Sequence, residues 1–268
     1  MDKCITSASH ICRKNPDADM FHMHTHAVHE ILYLISGDTD YAVEGNIYRL
    51  RRGDIMLMRR HEAHCLKLRS NADYERITIN FNPSVLTDMG LPETLFSPFD
   101  ERPLGTFNHY SASLFNTVRY EYYLKKICEL EGQPERQINY LLPFLDGLSD
   151  DFSKVKSQSI KPQIGRGSEI VTYITAHLYE PLSLDDICAT VNMSKSQLNR
   201  VFRSVTGSTV WKYITVKRLY RAKELIEAGV PPTEVYLKCG FNDYITFYRA
   251  YKKQFDTSPK CDHPKQKH

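Results

Sequence analysis

Two groups of residues in this 268-residue chain are of types and spacing that could do chemistry. Near the start, His24, His26 and Glu30 fall within seven residues, and His64 closes a later run that opens at Gly53-Asp54. Three imidazoles and a carboxylate are suitable ligands for Fe, Mn, Ni or Zn. The same side chains can instead line a pocket that hydrogen-bonds a small organic molecule, or stand as plain histidines at the mouth of a barrel. His22 and His29 thicken the cluster but fall outside its spacing, and are expected nearer the surface. In the last third, Leu198, Val201, Phe202 and Val205 recur at i, i+3, i+4 and i+7, which leaves Ser196, Asn199, Arg200 and Arg203 on the outward side of a helix. Those are hydrogen-bonding types suited to base edges and phosphates.

The histidine cluster must be held by strands. From Glu30 to Phe81, short runs such as EILYLI, DYAV, NIYRL, DIMLM and RITINF are punctuated by Gly37, Glu44-Gly45-Asn46 and Gly53-Asp54, the spacing of a β meander closed into a sandwich or barrel. Residues 82–108 carry four prolines and read as loop with a short helix. Between Tyr110 and Leu148 the apolar period becomes helical, giving two helices separated at Glu131-Gly132-Gln133-Pro134. Their leucines, Leu141, Leu142 and Leu145 among them, exceed what a cap on a small barrel needs, so this segment is expected to dimerise the chain. The polar stretch 149–168 reads as a linker.

Everything after the linker is helical in pattern. Ser168 is positioned to cap one helix, Ser183 a second over Leu184 to Thr190, and Ser194 a third through the capping box Ser194-Lys195-Ser196-Gln197. A long helix from about Thr209 to Ala228 ends at Gly229, and two shorter ones follow, near 233–238 and 243–255. The short-helix, turn, outward-polar-helix arrangement of 183–205 therefore recurs over 233–255. In the second copy Phe247, Tyr251 and Phe255 form the inner stripe, with Tyr244, Ile245, Tyr248, Arg249 and Lys252 more outward. The connecting helix is roughly 28 Å long, comparable with the ~34 Å between successive major-groove faces of B-DNA.

Composition narrows the class. Hydrophobic residues make up 41% and charged residues 25%, and no apolar run approaches the ~20 residues that cross a bilayer. The N-terminal residues lack the pattern of a signal peptide, so the chain is expected to be cytoplasmic and not membrane-bound. Seven cysteines with no C-x-x-C pair resemble neither a disulfide framework nor a thiolate zinc site. Residues 1–159 hold 18 Lys/Arg against 22 Asp/Glu, whereas 160–268 hold 17 against 10. A basic second part suits a polyanionic partner.

The segments L-S-L-D-D-I-C, M-S-K-S-Q-L-N-R-V-F-R, Thr206-Gly207, R-L-x2-A-x2-L-I from Arg218 to Ile226, and G-F-x-D-x3-F-x-R-x-Y-K-K from Gly240 to Lys253 resemble the DNA-binding domain of AraC/XylS-family transcription regulators across 168–259. By position, the resemblance places base reading on Ser196, Asn199 and Arg200 in the first unit and on Tyr244, Ile245, Tyr248 and Arg249 in the second. Three departures stand out: Tyr236 where alanine is usual, Asp256 for a frequent glycine, and no aromatic-basic pair after Pro259. His24-x-His26-x3-Glu30-x6-Gly37 is similar to the first cupin motif, and the run from Gly53-Asp54 to His64 to the second.

The resulting expectation is an α+β chain in four parts: a cupin-like ligand-sensing barrel over 1–108, a helical dimerisation or capping segment over 109–149, a linker over 150–167, and an all-α double helix-turn-helix domain over 168–260. Resemblance implies a ligand-responsive, sequence-specific DNA-binding transcription regulator, not an enzyme. It acts as a homodimer on double-stranded DNA with a small-molecule effector, and RNA polymerase is a further candidate partner. Arg203 joins the DNA-facing set. His24, His26, Glu30 and His64 form the effector pocket, without a cofactor. The alternative is a metal-dependent cupin enzyme with an accessory basic helical domain, the same four residues then binding a divalent metal.

Overall fold

The computed structural model describes residues 3–16, 23–116, 118–158 and 165–264. The chain divides into two compact units, Met1–Ile164 and Gly165–His268.

Among its described residues the first unit has eight strands: β1 (Ile5–Arg13), β2 (His29–Ser36), β3 (Thr39–Val43), β4 (Asn46–Leu50), β5 (Ile55–Met58), β6 (His64–Leu68), β7 (Tyr74–Phe81) and β8 (His109–Tyr110). They form a five-stranded sheet in the order β1-β7-β2-β5-β8 and a three-stranded sheet in the order β4-β3-β6. The expected barrel is thus two sheets rather than one closed cylinder. Alternation along β2 sorts its side chains: Leu32 and Leu34 join Tyr41, Val43, Leu50 and Leu66 between the sheets, while Ile31 and Tyr33 face a helical layer. The β3–β4 hairpin turns on Glu44 and Gly45, both with positive φ (47° and 81°), the geometry that two-residue hairpins favour.

Strand β1 was not expected, because on this sheet edge most of ITSASHICR is solvent-facing and carries little apolar alternation. Three short helical turns fill the proline-bearing stretch: α1 (Pro83–Asp88), a 3₁₀ turn (Glu93–Phe96) and α2 (Ser97–Asp100).

Helices α3 (Val118–Glu129) and α4 (Pro134–Gln158) cover the outer face of the larger sheet. Two expectations fail here. Residues 150–158 of the supposed linker are the end of α4, because Leu148, Phe152 and Val155 continue its buried stripe among polar neighbours; 159–164 lie outside the described residues. Leu141 and Leu145, expected at a dimer interface, are fully buried in the unit's own core, with Leu142 packed beside them.

The second unit is all helix: α5 (Arg166–Ala176), α6 (Leu184–Thr190), α7 (Lys195–Thr206), α8 (Val210–Glu227), α9 (Pro232–Lys238), α10 (Tyr244–Phe255) and α11 (Pro259–Asp262). Ser183 and Ser194 form reciprocal capping boxes with Asp186 and Gln197, as their spacing requires. Ser168 does not cap: α5 begins earlier, at Arg166 with Gly165 as its N-cap, and the Ser168 hydroxyl donates to the Gly165 carbonyl.

Candidate effector pocket and nucleic-acid interface

In the first unit, strand pairing brings together residues forty positions apart. The His24 and His64 backbones exchange two hydrogen bonds of 3.0 Å, and the His61 N–H donates to the His26 carbonyl at 2.8 Å. Glu30 projects from β2 of the larger sheet and His64 from β6 of the smaller, so the cluster joins both sheets. Potential ligand atoms of His24, His26, Glu30 and His64 all lie within 4.8 Å of one another. Glu30 and His64 are 3% and 2% exposed, His26 is half-buried and His24 is exposed.

Hydrogen bonds orient the group. His26 Nε2 lies 2.8 Å from one Glu30 oxygen, and the Tyr41 hydroxyl donates to the other at 3.2 Å. His64 Nδ1 meets the Glu62 carbonyl at 2.8 Å, so Nδ1 is the donor there and Nε2 is the nitrogen turned toward Glu30. That Nε2 has no hydrogen-bond partner, and Glu30 Oε1 is 3.7 Å away. A buried imidazole nitrogen left open beside a carboxylate and two further imidazoles suits a metal, with the Glu62 carbonyl orienting the ligand from behind. The donor set therefore fits the divalent ion that cupin resemblance suggests. Burial alone would raise the Glu30 pKa, but His64 and His26 overcome it and hold the carboxyl well below its ordinary range. Burial likewise opposes charge on His64, and Glu30 with the Glu62 carbonyl more than offsets it, raising that pKa.

Two pocket residues escaped the sequence reading. Tyr41 stacks on His64 at 5.9 Å between ring centroids, and Arg76 of β7 is largely buried, with Tyr74, Tyr41 and Glu30 acting on its charge. Arg76 opens the run RITINF as the third residue of β7, and a cation at an inward position was the available signal. His29 is a correction. It is buried rather than near the surface, because alternation turns it away from Glu30 onto Phe99, which it stacks at 4.6 Å. His29 Nδ1 accepts from the Arg60 N–H and Nε2 faces Asp100 at 3.4 Å, while burial lowers the ring's pKa. His22 lies outside the described residues.

In the second unit, Leu198 and Phe202 anchor α7, and Ser196, Asn199, Arg200 and Arg203 stand in solvent. Asn199, Arg200 and Arg203, with Ser204 and Thr209, line an open concavity of about 750 Å³. Helix α10 has an Asp243 cap, whose carboxylate accepts from the Thr246 N–H at 2.7 Å, and ends at Asp256 in the left-handed conformation (φ 54°) that the usual glycine would adopt more easily. Its outer face differs from that of α7. Ile245 and Arg249 are exposed, but Tyr244 and Tyr248 are half-buried. Tyr236, the large residue in a small residue's place, packs edge-on against Tyr244 at 5.8 Å and draws it toward the core.

Family models match a segment of each unit. A family model described as an AraC-like ligand binding domain matches residues 11–120, and one described as a helix-turn-helix domain matches 187–261. Regulatory protein SoxS of Escherichia coli K12 is 33% identical over 92 residues, which span 34% of this chain and 86% of SoxS. The chain belongs to the AraC/XylS family. Transcriptional regulator Rob of Salmonella typhimurium is 35% identical over 98 residues, 36% of this chain and 34% of Rob, so the chain spans about a third of that relative's length. A solved AraC-type regulator from Chromobacterium violaceum is 33% identical, with 36% of this chain and 88% of that one covered, at a TM-score of 0.34. No helix among the described residues is long and apolar enough to cross a membrane.

Proposed function

We propose that this AraC/XylS-family chain is a ligand-responsive, sequence-specific transcription regulator that binds double-stranded DNA through α7 and α10 and is not an enzyme. The observation that carries the reading is the pair of capped helices, each with its own apolar anchor, α7 with a polar face in solvent and α10 with Ile245 and Arg249 exposed, joined by the 18-residue α8. At 1.5 Å per residue α8 spans about 27 Å, near the repeat of the major groove. Family membership supports Ser196, Asn199, Arg200 and Arg203 as the DNA contacts of α7 and Tyr244, Ile245, Tyr248 and Arg249 as those of α10.

The effector pocket in this reading is His24, His26, Glu30 and His64, with Tyr41 and Arg76 beside them. The open Nε2 of His64 also favours a divalent metal held by the same four residues. A bound ion there would supply a Lewis-acid centre to which an anionic effector attaches. The protein's own contribution is to orient it: Glu62 fixes the His64 tautomer and Tyr41 fixes Glu30.

The chain acts as a cytoplasmic homodimer through the outer face of α3 and α4, where Tyr122 is 55% exposed and contacts the rings of Tyr123 and Tyr140. RNA polymerase is the partner that activation would require. Genome-wide footprinting tests the regulatory reading. Footprints should cluster beside transcription starts and disappear in Arg200→Ala; footprints scattered without sequence preference would overturn it. Sedimentation of a monomer at micromolar concentration with DNA present would remove the dimer.

A further inference from the structure

We infer that Arg218 is a positioning residue that sets the two DNA-facing helices at one fixed spacing, by tying the turn after α5 to the turn after α9. This rests on the DNA-binding reading above. From the middle of α8 the guanidinium donates three times: Nε to the Leu178 carbonyl at 2.7 Å, Nη2 to the Glu180 carbonyl at 2.8 Å and Nη1 to the Gly240 carbonyl at 2.5 Å. Leu178 and Glu180 follow the end of α5, which packs on α7, and Gly240 follows the end of α9 and leads into α10. These three carbonyls lie in the turns just past the C-termini of α5 and α9, beyond the helical ladders. One planar cation with forked donors bonds both turns at once in fixed directions, which the rotating ammonium of a lysine does not hold.

Gly240 confirms how close the approach is. It has φ +77°, and a Cβ there would stand 2.8 Å from Arg218 Cζ and 2.9 Å from the Tyr179 carbonyl. The glycine is therefore required by the left-handed turn and by the guanidinium lying against it.

Neither reading unit depends on this clamp for its own folding. The first has the capping boxes of Ser183 and Ser194 and the buried Leu198 and Phe202. The second has a core of Leu219, Ala222 and Ile226 from α8 together with Val235, Cys239, Phe241, Phe247 and Tyr251. Helix α8 is itself part of the second reading unit, since Leu219, Ala222 and Ile226 share a core with Val235, Phe247 and Tyr251, and it meets α7 through Tyr213 against Phe202. Arg218 adds a polar tie between the turn after α5 and the turn after α9, so binding of the first element presents the second helix at the correct groove position.

The test uses the full chain and duplexes it selects from a random library. These are then made as two-element duplexes, as duplexes keeping one element only, and with a few base pairs inserted between elements. Arg218→Met should weaken two-element binding about tenfold, leave one-element binding within about twofold, and blunt the penalty for insertion. Arg218→Lys, which keeps charge without the fork, should fall between, and carries the test if the methionine variant does not fold. Equal loss on one- and two-element duplexes, or no loss on either, would overturn the inference. Spin labels placed as unnatural amino acids at Ser204 and Lys252 supply a DNA-free readout: a narrow distance distribution in the unsubstituted protein should broaden in the variants. If the unsubstituted chain selects no duplex, the DNA-binding reading fails, and the spin-label distributions still decide the role of Arg218.

Discussion

Glu30 and His64 are almost wholly buried, with every side-chain polar atom except His64 Nε2 held by a hydrogen-bond partner, whereas Ser196, Asn199, Arg200 and Arg203 stand in water with their inner neighbours Leu198 and Phe202 holding the helix in place. The contrast separates two ways of recognising a partner. A buried cluster in low dielectric is fixed before a ligand arrives and is costly to leave incomplete, so changes there alter stability as well as binding. An exposed face is supported from below and can change its contacts without disturbing the fold. The second reading helix falls between these cases: Tyr244 is partly drawn into the core by Tyr236, which the all-polar face of α7 has no counterpart for.

The largest expected effect lies behind the pocket. Glu62 orients His64 through its carbonyl, and its carboxylate pairs with the buried Arg102 at 2.7 Å while accepting from Gly105 N–H and Asn108. Glu62→Ala would leave Arg102 buried and unpaired, at a cost of about 3–5 kcal/mol to the first unit. Denaturant unfolding followed separately in the two units should show the loss in the first and none in the second. Although burial pushes the Glu62 pKa up, Arg102 holds it at about 2, below the ordinary 4.5. A carboxyl depressed in the fold stabilises above its ordinary value, so the first unit should weaken as pH falls from 4.5 toward 2, and the alanine variant should lack that acid limb.

Next in size is the pocket itself. Glu30→Gln keeps the shape and removes the charge, and should lower affinity for Zn²⁺ at least about tenfold by titration calorimetry. Unchanged affinity would place any metal elsewhere. Arg200→Ala comes third: it should cost about 1–3 kcal/mol against a selected duplex, little against random DNA, and leave the unfolding midpoint unmoved. Equal loss on both duplexes would make Arg200 a phosphate contact only. The smallest effect is expected at Ile245→Ala, about 0.5–1 kcal/mol on the selected duplex in the same gel-shift series, because an exposed apolar side chain reads a thymine methyl without hydrogen bonds. An Ile245 effect larger than that of Arg200 would invert the comparison between the two reading helices.

Much of this was legible in the sequence because it is local. The capping boxes at Ser183 and Ser194, the stop at Gly229 and the hairpin at Glu44-Gly45 are set by residues a few positions apart, and the elements formed where those signals fell. The convergence of His64 on His24, His26 and Glu30 was legible only through likeness to a two-strand motif. What escaped depended on distant partners. Strand β1 exists because β7 offers it a ladder, the last two turns of α4 exist because Phe152 and Val155 find the sheet, and the burial of His29 follows from a one-residue alternation that nearby histidines disguised. Tyr41 and Arg76 read as ordinary strand residues until the opposite sheet is in place. Arg218 belonged to a matched motif, but its three carbonyl partners lie 22 to 40 residues away.

The central claim is that the exposed faces of α7 and α10 read sequence rather than merely attract phosphate. The most direct measurement is competition between a selected duplex and a scrambled duplex of equal length for the full chain, at fixed near-physiological salt. The account predicts that the selected duplex binds at least about 10³-fold more tightly. Equal affinities, falling together as salt rises, would contradict it and leave a basic surface that binds DNA without reading it.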